Sequence, residues 1–334
     1  MHKFLFYFFI LATVLSCEKA QKQPVKVLEN TKLSGAVFGT SYTIIYDDNV
    51  DYTKQFDSLF HVINVSMSTY ISDSDISKIN RNELVEVDTH FEKVFHKSKE
   101  IYNATKGVFD PTIGDVVNAW SFGADKQKFL TDSTTIEGLM RYVGFNKVKL
   151  VNKRIVKLPN TYLEFNAIAK GYGIDVIAQF LESKNCNNYL VEIGGEVRVK
   201  GKNKAKDKPW RVGLDEPRFD GEQSVYKAIH LKDQAMATSG TYRKFKVDES
   251  GNKYAHIINT KTGYPTKTNI LSVSVIAKDC MTADSYATAF QAMGVEKVSV
   301  FLKNHPELKS FLIFENNNNE LETLALNGFP EKKM

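Results

Sequence analysis

Apolar and polar positions alternate in FGTSYTIIY (Phe38 to Tyr46), which predicts a β-strand, and apolar residues then recur at helical spacing at Phe56, Leu59, Phe60, Ile63 and Met67. A polar loop, STYISDSDISKIN (Ser68 to Asn80), should follow that helix and carry one exposed aromatic, Tyr70. The stripe Phe91, Val94, Phe95, Ile101 predicts a second helix after Asp88, with Thr89 and Glu92 at capping-box spacing and a stop at Gly107. Gly and Pro punctuate the stretch from Gly107 to Gly123, so a structured loop is expected there, carrying Phe109, Trp120 and Phe122. TTIEGLMRYVGF predicts a helix, KVKLVNKRIVKL a hairpin, LEF a buried strand ending at Glu164, and the following AKGYGIDVIAQFL a helix. NNYLVEIGGEVRVKG and WRVGLDEP predict strands, broken at Gly194-Gly195 and stopped by Pro217. ILSVSVIA predicts a strand, MTADSYATAFQAMG a helix, and KSFLIFE and LETLAL two closing edge strands. Strict βαβ alternation is absent and no period of about twenty to fifty residues repeats. The expectation is an α+β domain with a mainly antiparallel sheet packed by helices.

The N-terminus, MHKFLFYFFILATVLSC, changes this picture. Lys3 precedes an apolar run from Phe4 to Leu15, too short to span a bilayer comfortably, which predicts a secretory signal. Ser16 directly before Cys17 resembles a lipobox, whose Cys becomes the lipidated first residue. An ordinary signal peptide or an uncleaved anchor helix is the alternative. The expected organisation is a signal at 1–16, a polar tether at 17–32 and one domain at 33–334, held by lipid on the extracytoplasmic face of a membrane. A formal charge of +5 over 334 residues is too mild for a nucleic-acid partner. Besides Cys17 only Cys186 and Cys280 remain, outside any C-x-x-C or Cys/His pattern, which predicts two buried free thiols.

Candidate chemistry concentrates in LEFNAIAKGYGID (Leu163 to Asp175). Glu164, the backbone at Ala167 and Lys170 stand at three-residue intervals where a helix begins, and the first N–H groups of a helix attract anions. Neither a P-loop nor a strand-linked G-x-G-x-x-G is present, so a nucleotide would have to be held another way. Asp284 and Thr288 are four apart, hence stacked on one helix face, and with a carbonyl they offer the hard oxygens Mg²⁺ takes. From spacing alone the plainer reading, a buried helix whose Thr288 bonds back to a carbonyl, stands ahead. His256 has the chemistry of a base for a hydroxyl nucleophile, or of a hydrogen-bonding fixture beside a turn. MATSGTYR (Met236 to Arg243) fits a phosphate or nucleophile turn, with a simple strand-to-strand turn as the default. Tyr70 and Trp120 can stack on a flat ring; as isolated aromatics they read as rim or core.

Eight blocks occur in one order: FGT at Phe38, MSTYISDSDISKIN, GVFDPTIGDVVNAWSFG, EFNAIAKGYGID, VEIGGEVRVKG, ATSGTYR, HIINTKTGYP and TADSYATAFQAMG. Between about Phe38 and Gly294 the chain thus resembles the ApbE family, the FAD:protein FMN transferases, and by that resemblance the domain is ApbE-like, with a T-fold-like architecture. The resemblance implies FAD as substrate, Mg²⁺ as cofactor, release of AMP and a target flavoprotein subunit carrying an acceptor Thr. Position by position, it implies flavin-site roles for Phe38 (where many members have Met), Tyr70 and Ile258, and a loop lining FAD at Trp120, Ser121 and Phe122. Glu164, where Asp is frequent, and Lys170 look like further FAD contacts. The extra methylene of Glu164 keeps the acceptor chemistry and alters its reach. Ala167 matches a position whose carbonyl holds Mg²⁺, with Asp284 and Thr288 as side-chain partners. The anion at the helix start is then the pyrophosphate of FAD, and His256 is the base for the acceptor hydroxyl. Two rival readings share these residues: an FAD pyrophosphatase giving FMN and AMP, and a lipid-anchored flavin-binding protein without catalysis.

Overall fold

A computed structural model of the chain describes residues 30–124, 132–220, 222, 224–242, 245–247 and 253–330. The expected signal, Cys17 and most of the tether lie outside the described residues. Two strands, β1 (Thr31–Val37) and β2 (Thr40–Tyr46), precede α1 (Thr53–Met67), α2 (Asp75–Asn80), α3 (Thr89–Ala104), α4 (Gly114–Ala119) and α5 (Ser133–Met140). A small hairpin of β3 (Lys149–Val151) and β4 (Arg154–Val156) leads to α6 (Ala169–Ser183). Next come β5 (Tyr189–Ile193), β6 (Glu196–Lys200), β7 (Lys202–Asn203), β8 (Lys208–Asp215), β9 (Val225–Leu231), β10 (Ala235–Gly240), β11 (Phe245–Val247) and β12 (Lys253–Ala255). β13 (Ile270–Ala277), α7 (Cys280–Met293), α8 (Val295–Leu302), β14 (Lys309–Glu315) and β15 (Leu321–Leu326) complete the described chain.

The main sheet has eight strands in the order β1-β2-β5-β6-β10-β13-β14-β15, and its neighbouring pairs run antiparallel. The expected α+β class with an antiparallel sheet is therefore the observed one. One face buries Val273, Val275 and Ala237 under Ala283, Ala287 and Phe290 of α7, with α3 and α6 in the same core. The opposite face is covered by the β8–β9 hairpin, which packs Trp210, Leu214, Ile229 and Leu231 against Val197, Val199, Met236 and Ile276. Covered on both sides, β13 is buried at every position, which is why its sequence is apolar throughout apart from Ser272 and Ser274. No helix among the described residues is long and apolar enough to cross a membrane.

Several local expectations change. The loop after α1 contains the six-residue α2, capped by Ser74, whose hydroxyl accepts the Ser77 N–H at 3.2 Å. The stretch from Gly107 to Gly123 contains α4, also six residues. Both helices are shorter than two turns, too short for a 3.6-residue period to register. The cap of α3 is Asp88, accepting the Phe91 N–H at 2.7 Å, in place of a Thr89 box. LEF is not a strand; the extended segment makes one parallel bridge, Ile113 to Tyr162, beside it. β14 is an interior strand and only β15 an edge, because β14 pairs with both β13 and β15. A strand precedes FGT: β1 begins at Thr31, so the sheet takes in Thr31 and Lys32 of the expected tether. Cys186 and Cys280 are buried free thiols.

Candidate active site

The N-terminal ends of α6 and α7 meet, and sequence explains how closely. Gly171 lies where a Cβ would stand 2.4 Å from the Cys280 carbonyl oxygen and 2.9 Å from Asp284 Cβ, so only glycine admits this approach. The Gly171 N–H donates to Asp284 Oδ2 at 3.0 Å. α6 has no side-chain cap of its own; the Ala169 N–H donates to the Phe165 carbonyl at 2.8 Å, and the Asp284 carboxylate takes the place of a cap at Gly171. Two residues on, a Cβ at Gly173 would stand 2.7 Å from Phe38 Cε2, so the second glycine of KGYG makes room for the Phe38 ring.

Phe38 and Gly39 form the two-residue turn between β1 and β2, both at positive φ, 49° and 74°. Glycine is at ease there; phenylalanine is not, and strained backbone of this kind gathers at ligand sites. The Phe38 ring packs edge-on against Phe60 at 5.5 Å and lines a cavity of about 660 Å³ with Ile63, Met67, Tyr70, Ile71 and Lys170. A second cavity of about 190 Å³ is lined by Phe122, Glu164, Ala167, His256, Ile258 and Thr288. Tyr70 and Asn166 belong to both, so the two form one bilobed cleft that narrows at these residues, and the start of α6, with Ala169 and Lys170, lines the larger lobe. Tyr70, 63% exposed, stands on the rim.

Lys170 Nζ lies 3.0 Å from Glu196 Oε1. Burial opposes the charged ammonium, but Glu196 and Asp284 hold Lys170 above its ordinary pKa. Glu196 is pushed well above the usual carboxylate range by burial and by Asp284, with Lys170 opposing, and burial raises Asp284 as well. The second oxygen of Glu196 is buried without a donor. Two carboxyl groups thus crowd one ammonium and both hold protons more tightly than usual, a repulsion that a cation bound beside them would relieve. Asp284, the Thr288 hydroxyl and the Ala167 carbonyl are hard oxygens that fit Mg²⁺ by donor type. Among the described residues no cluster of three or more His, Cys, Asp or Glu forms a metal cage, so an ion here would need oxygens from a substrate.

Most of the expected positions reach this cleft: Phe38, Tyr70, Phe122, Glu164, Ala167, Lys170, His256, Ile258 and Thr288 line it. Asp284 sits deeper, at Gly171. Trp120 and Ser121 do not line the cleft. Trp120 is buried, donates from Nε1 to the Gly263 carbonyl at 2.8 Å and stacks on Tyr254 at 5.7 Å, two residues before His256. It therefore braces both sides of the His256 loop. Ser121, at φ 60°, turns the chain after α4 toward Phe122. Glu164 accepts the Asn166 side-chain N–H at 2.9 Å, and its own N–H donates to the Pro111 carbonyl at 2.9 Å. The phosphate-turn option for MATSGTYR is not realised at Thr238, which lies within β10 and shares a hydrogen bond with Ser274 at 2.7 Å. Glu196 was not among the expected residues; its only signal was a charged residue in GGEVR at a predicted strand start.

Comparison with known proteins follows the same lines. The model of the ApbE family matches residues 38–312. A Haemophilus influenzae protein named FAD:protein FMN transferase is 36% identical, over 95% of this chain and 95% of its own. A Vibrio cholerae protein of the same name is 35% identical, over 86% of each chain. The solved structure of flavin transferase ApbE from Vibrio cholerae superposes with a TM-score of 0.80 at 32% identity, covering 89% of this chain and 97% of that one.

Proposed function

The chain belongs to the ApbE family, and we propose that it is an FAD:protein FMN transferase, joining FMN from FAD through a phosphoester to a Thr hydroxyl of a target flavoprotein and releasing AMP. The observation that carries this reading is the bilobed cleft, whose lobes meet at Tyr70 and at Asn166, just before α6, with Lys170 on the wall of the larger lobe. FAD has two flat ring systems joined by a pyrophosphate, and the cleft has two lobes that meet beside a helix start and an ammonium.

In the proposed step the Thr oxygen attacks the phosphorus on the FMN side. A P–O bond forms there while the bond from that phosphorus to the bridging oxygen breaks, and AMP leaves with that oxygen. The hydroxyl proton passes to a ring nitrogen of His256, which faces the smaller lobe beside Phe122. Lys170 and the positive end of the α6 dipole bring fixed positive charge to the pyrophosphate, the main catalytic resource in phosphoryl transfer. Glu164 accepts a hydrogen bond from another part of FAD, while Phe38, Tyr70, Phe122 and Ile258 supply the apolar and aromatic surface. Mg²⁺, held by Asp284, Thr288 and the Ala167 carbonyl, would neutralise phosphate charge as a Lewis acid. In the same reading Cys17 carries the lipid, the domain lies on the extracytoplasmic side, and enzyme and acceptor share a membrane surface that raises their effective concentration.

Chromatography of FAD, FMN and AMP with Mg²⁺, with and without acceptor protein, tests the reaction class. Transfer predicts acceptor-dependent AMP without a matching amount of free FMN. Equal FMN and AMP regardless of acceptor would make the chain a pyrophosphatase, and intact FAD a binder.

A further inference from the structure

Asp175 lies one turn beyond Gly171 on the same side of α6 and is 2% exposed. Its Oδ1 accepts the Cys280 N–H at 2.9 Å and the Arg198 Nη1 hydrogen at 2.7 Å, and its Oδ2 accepts the Met281 N–H at 2.8 Å. Cys280 and Met281 are the first two residues of α7, whose own cap, Asp279, takes the Thr282 N–H at 2.8 Å. One carboxylate therefore joins α6, the start of α7 and strand β6. Arg198, also 3.6 Å from Glu182, holds that carboxylate from the sheet side.

We infer that Asp175 is a positioning residue for the divalent-cation site: it fixes the first turn of α7 against α6 and thereby sets where Asp284 and Thr288 stand relative to Ala167. The inference rests on the reading of Asp284 and Thr288 as ligands. Asp175 itself faces a different cavity, shared with Arg198, Met281 and Tyr172, and lines neither lobe of the cleft. Its effect travels through one turn of helix. Partners behind metal ligands commonly govern affinity by about 10–100-fold.

The test uses the full chain with FAD and Mn²⁺ as the probe ion, read from loss of the free-ion paramagnetic resonance signal. Asp175→Ala strips a buried Arg and two helix N–H groups of their acceptor and is exposed to unfolding. Asp175→Asn, nearly isosteric, and Arg198→Lys, which keeps a cation beside Asp175, are therefore the informative variants, checked for full folding by circular dichroism. Asp175→Asn should weaken Mn²⁺ binding by about 10–100-fold and Arg198→Lys by a smaller factor, while metal-free FAD affinity stays within about threefold. Folded variants that both bind Mn²⁺ as tightly as wild type would overturn the inference, as would losses of Mn²⁺ and FAD affinity in equal proportion. Asp284→Asn separates the two levels. If it leaves Mn²⁺ binding intact, the ligand reading fails; if it abolishes binding while the Asp175 and Arg198 variants keep it, only the positioning role fails.

Discussion

The backbone amide of Gly171 donates to Asp284 Oδ2 at 3.0 Å, tying the helix that carries Lys170 to the helix that carries Thr288. A group meant for phosphates and a group meant for a cation are thereby held in one rigid unit. The closeness depends on the missing side chain.

Gly171→Ala puts a methyl 2.4 Å from the Cys280 carbonyl oxygen, a backbone atom that cannot swing away. The helices must separate, at a cost of about 1–3 kcal/mol as for other overpacked cores. Urea unfolding should show that loss, and turnover should fall with it. An unchanged midpoint would mean that α6 and α7 do not pack this tightly.

Asp284→Asn keeps an acceptor for the Gly171 N–H and removes the charge. Because Asp284 is buried beside Lys170 and Glu196, stability should fall by about 1–3 kcal/mol with the fold retained, while dependence on Mg²⁺ disappears and turnover collapses. Thermal melting and a Mg²⁺ titration of AMP release check this together. Near-normal Mg²⁺-dependent turnover would remove Asp284 from the site.

His256 lines the smaller lobe with Phe122, on a loop braced by Trp120. His256→Asn should slow transfer by about 10²–10⁴-fold, the usual share of general-base catalysis, with FAD affinity little changed. Full rate with weakened FAD binding would instead make His256 a cofactor contact.

Cys17→Ser should move the protein from the membrane to the soluble fraction while leaving the specific activity of the domain intact. Labelling with a fatty acid reads the modification directly. Wild-type protein that incorporates no lipid would contradict the anchor.

Long periodic segments were legible in the sequence: the stripes of α1 and α3 and the alternation in β2 follow from burying one face of each element. The six-residue α2 and α4 were not, because so few positions carry no period and both sit among Gly, Ser and Asp punctuation. At the site, the spacing of Glu164, Ala167 and Lys170 marked a helix start, whereas Asp284 and Thr288 stood out only through the ApbE resemblance, their spacing alone having favoured a plain buried helix. Glu196 and Asp175 were passed over for a shared reason. Each acts across the fold, Glu196 on Lys170 from a strand and Asp175 on α7 from one turn further along α6, and no one-dimensional spacing records such a contact. Trp120, expected at the cofactor, is buried and lines neither lobe of the cleft, since an isolated aromatic in a Gly-rich stretch serves equally as brace or as wall.

Peptide mapping of a candidate acceptor by tandem mass spectrometry, after incubation with the enzyme, FAD and Mg²⁺, tests the central claim most directly. The account predicts one FMN joined through its phosphate to a Thr side chain, absent when Asp284→Asn replaces the wild-type enzyme or when the acceptor Thr is changed to Val. An acceptor that remains unmodified while FAD is split to free FMN and AMP would contradict it.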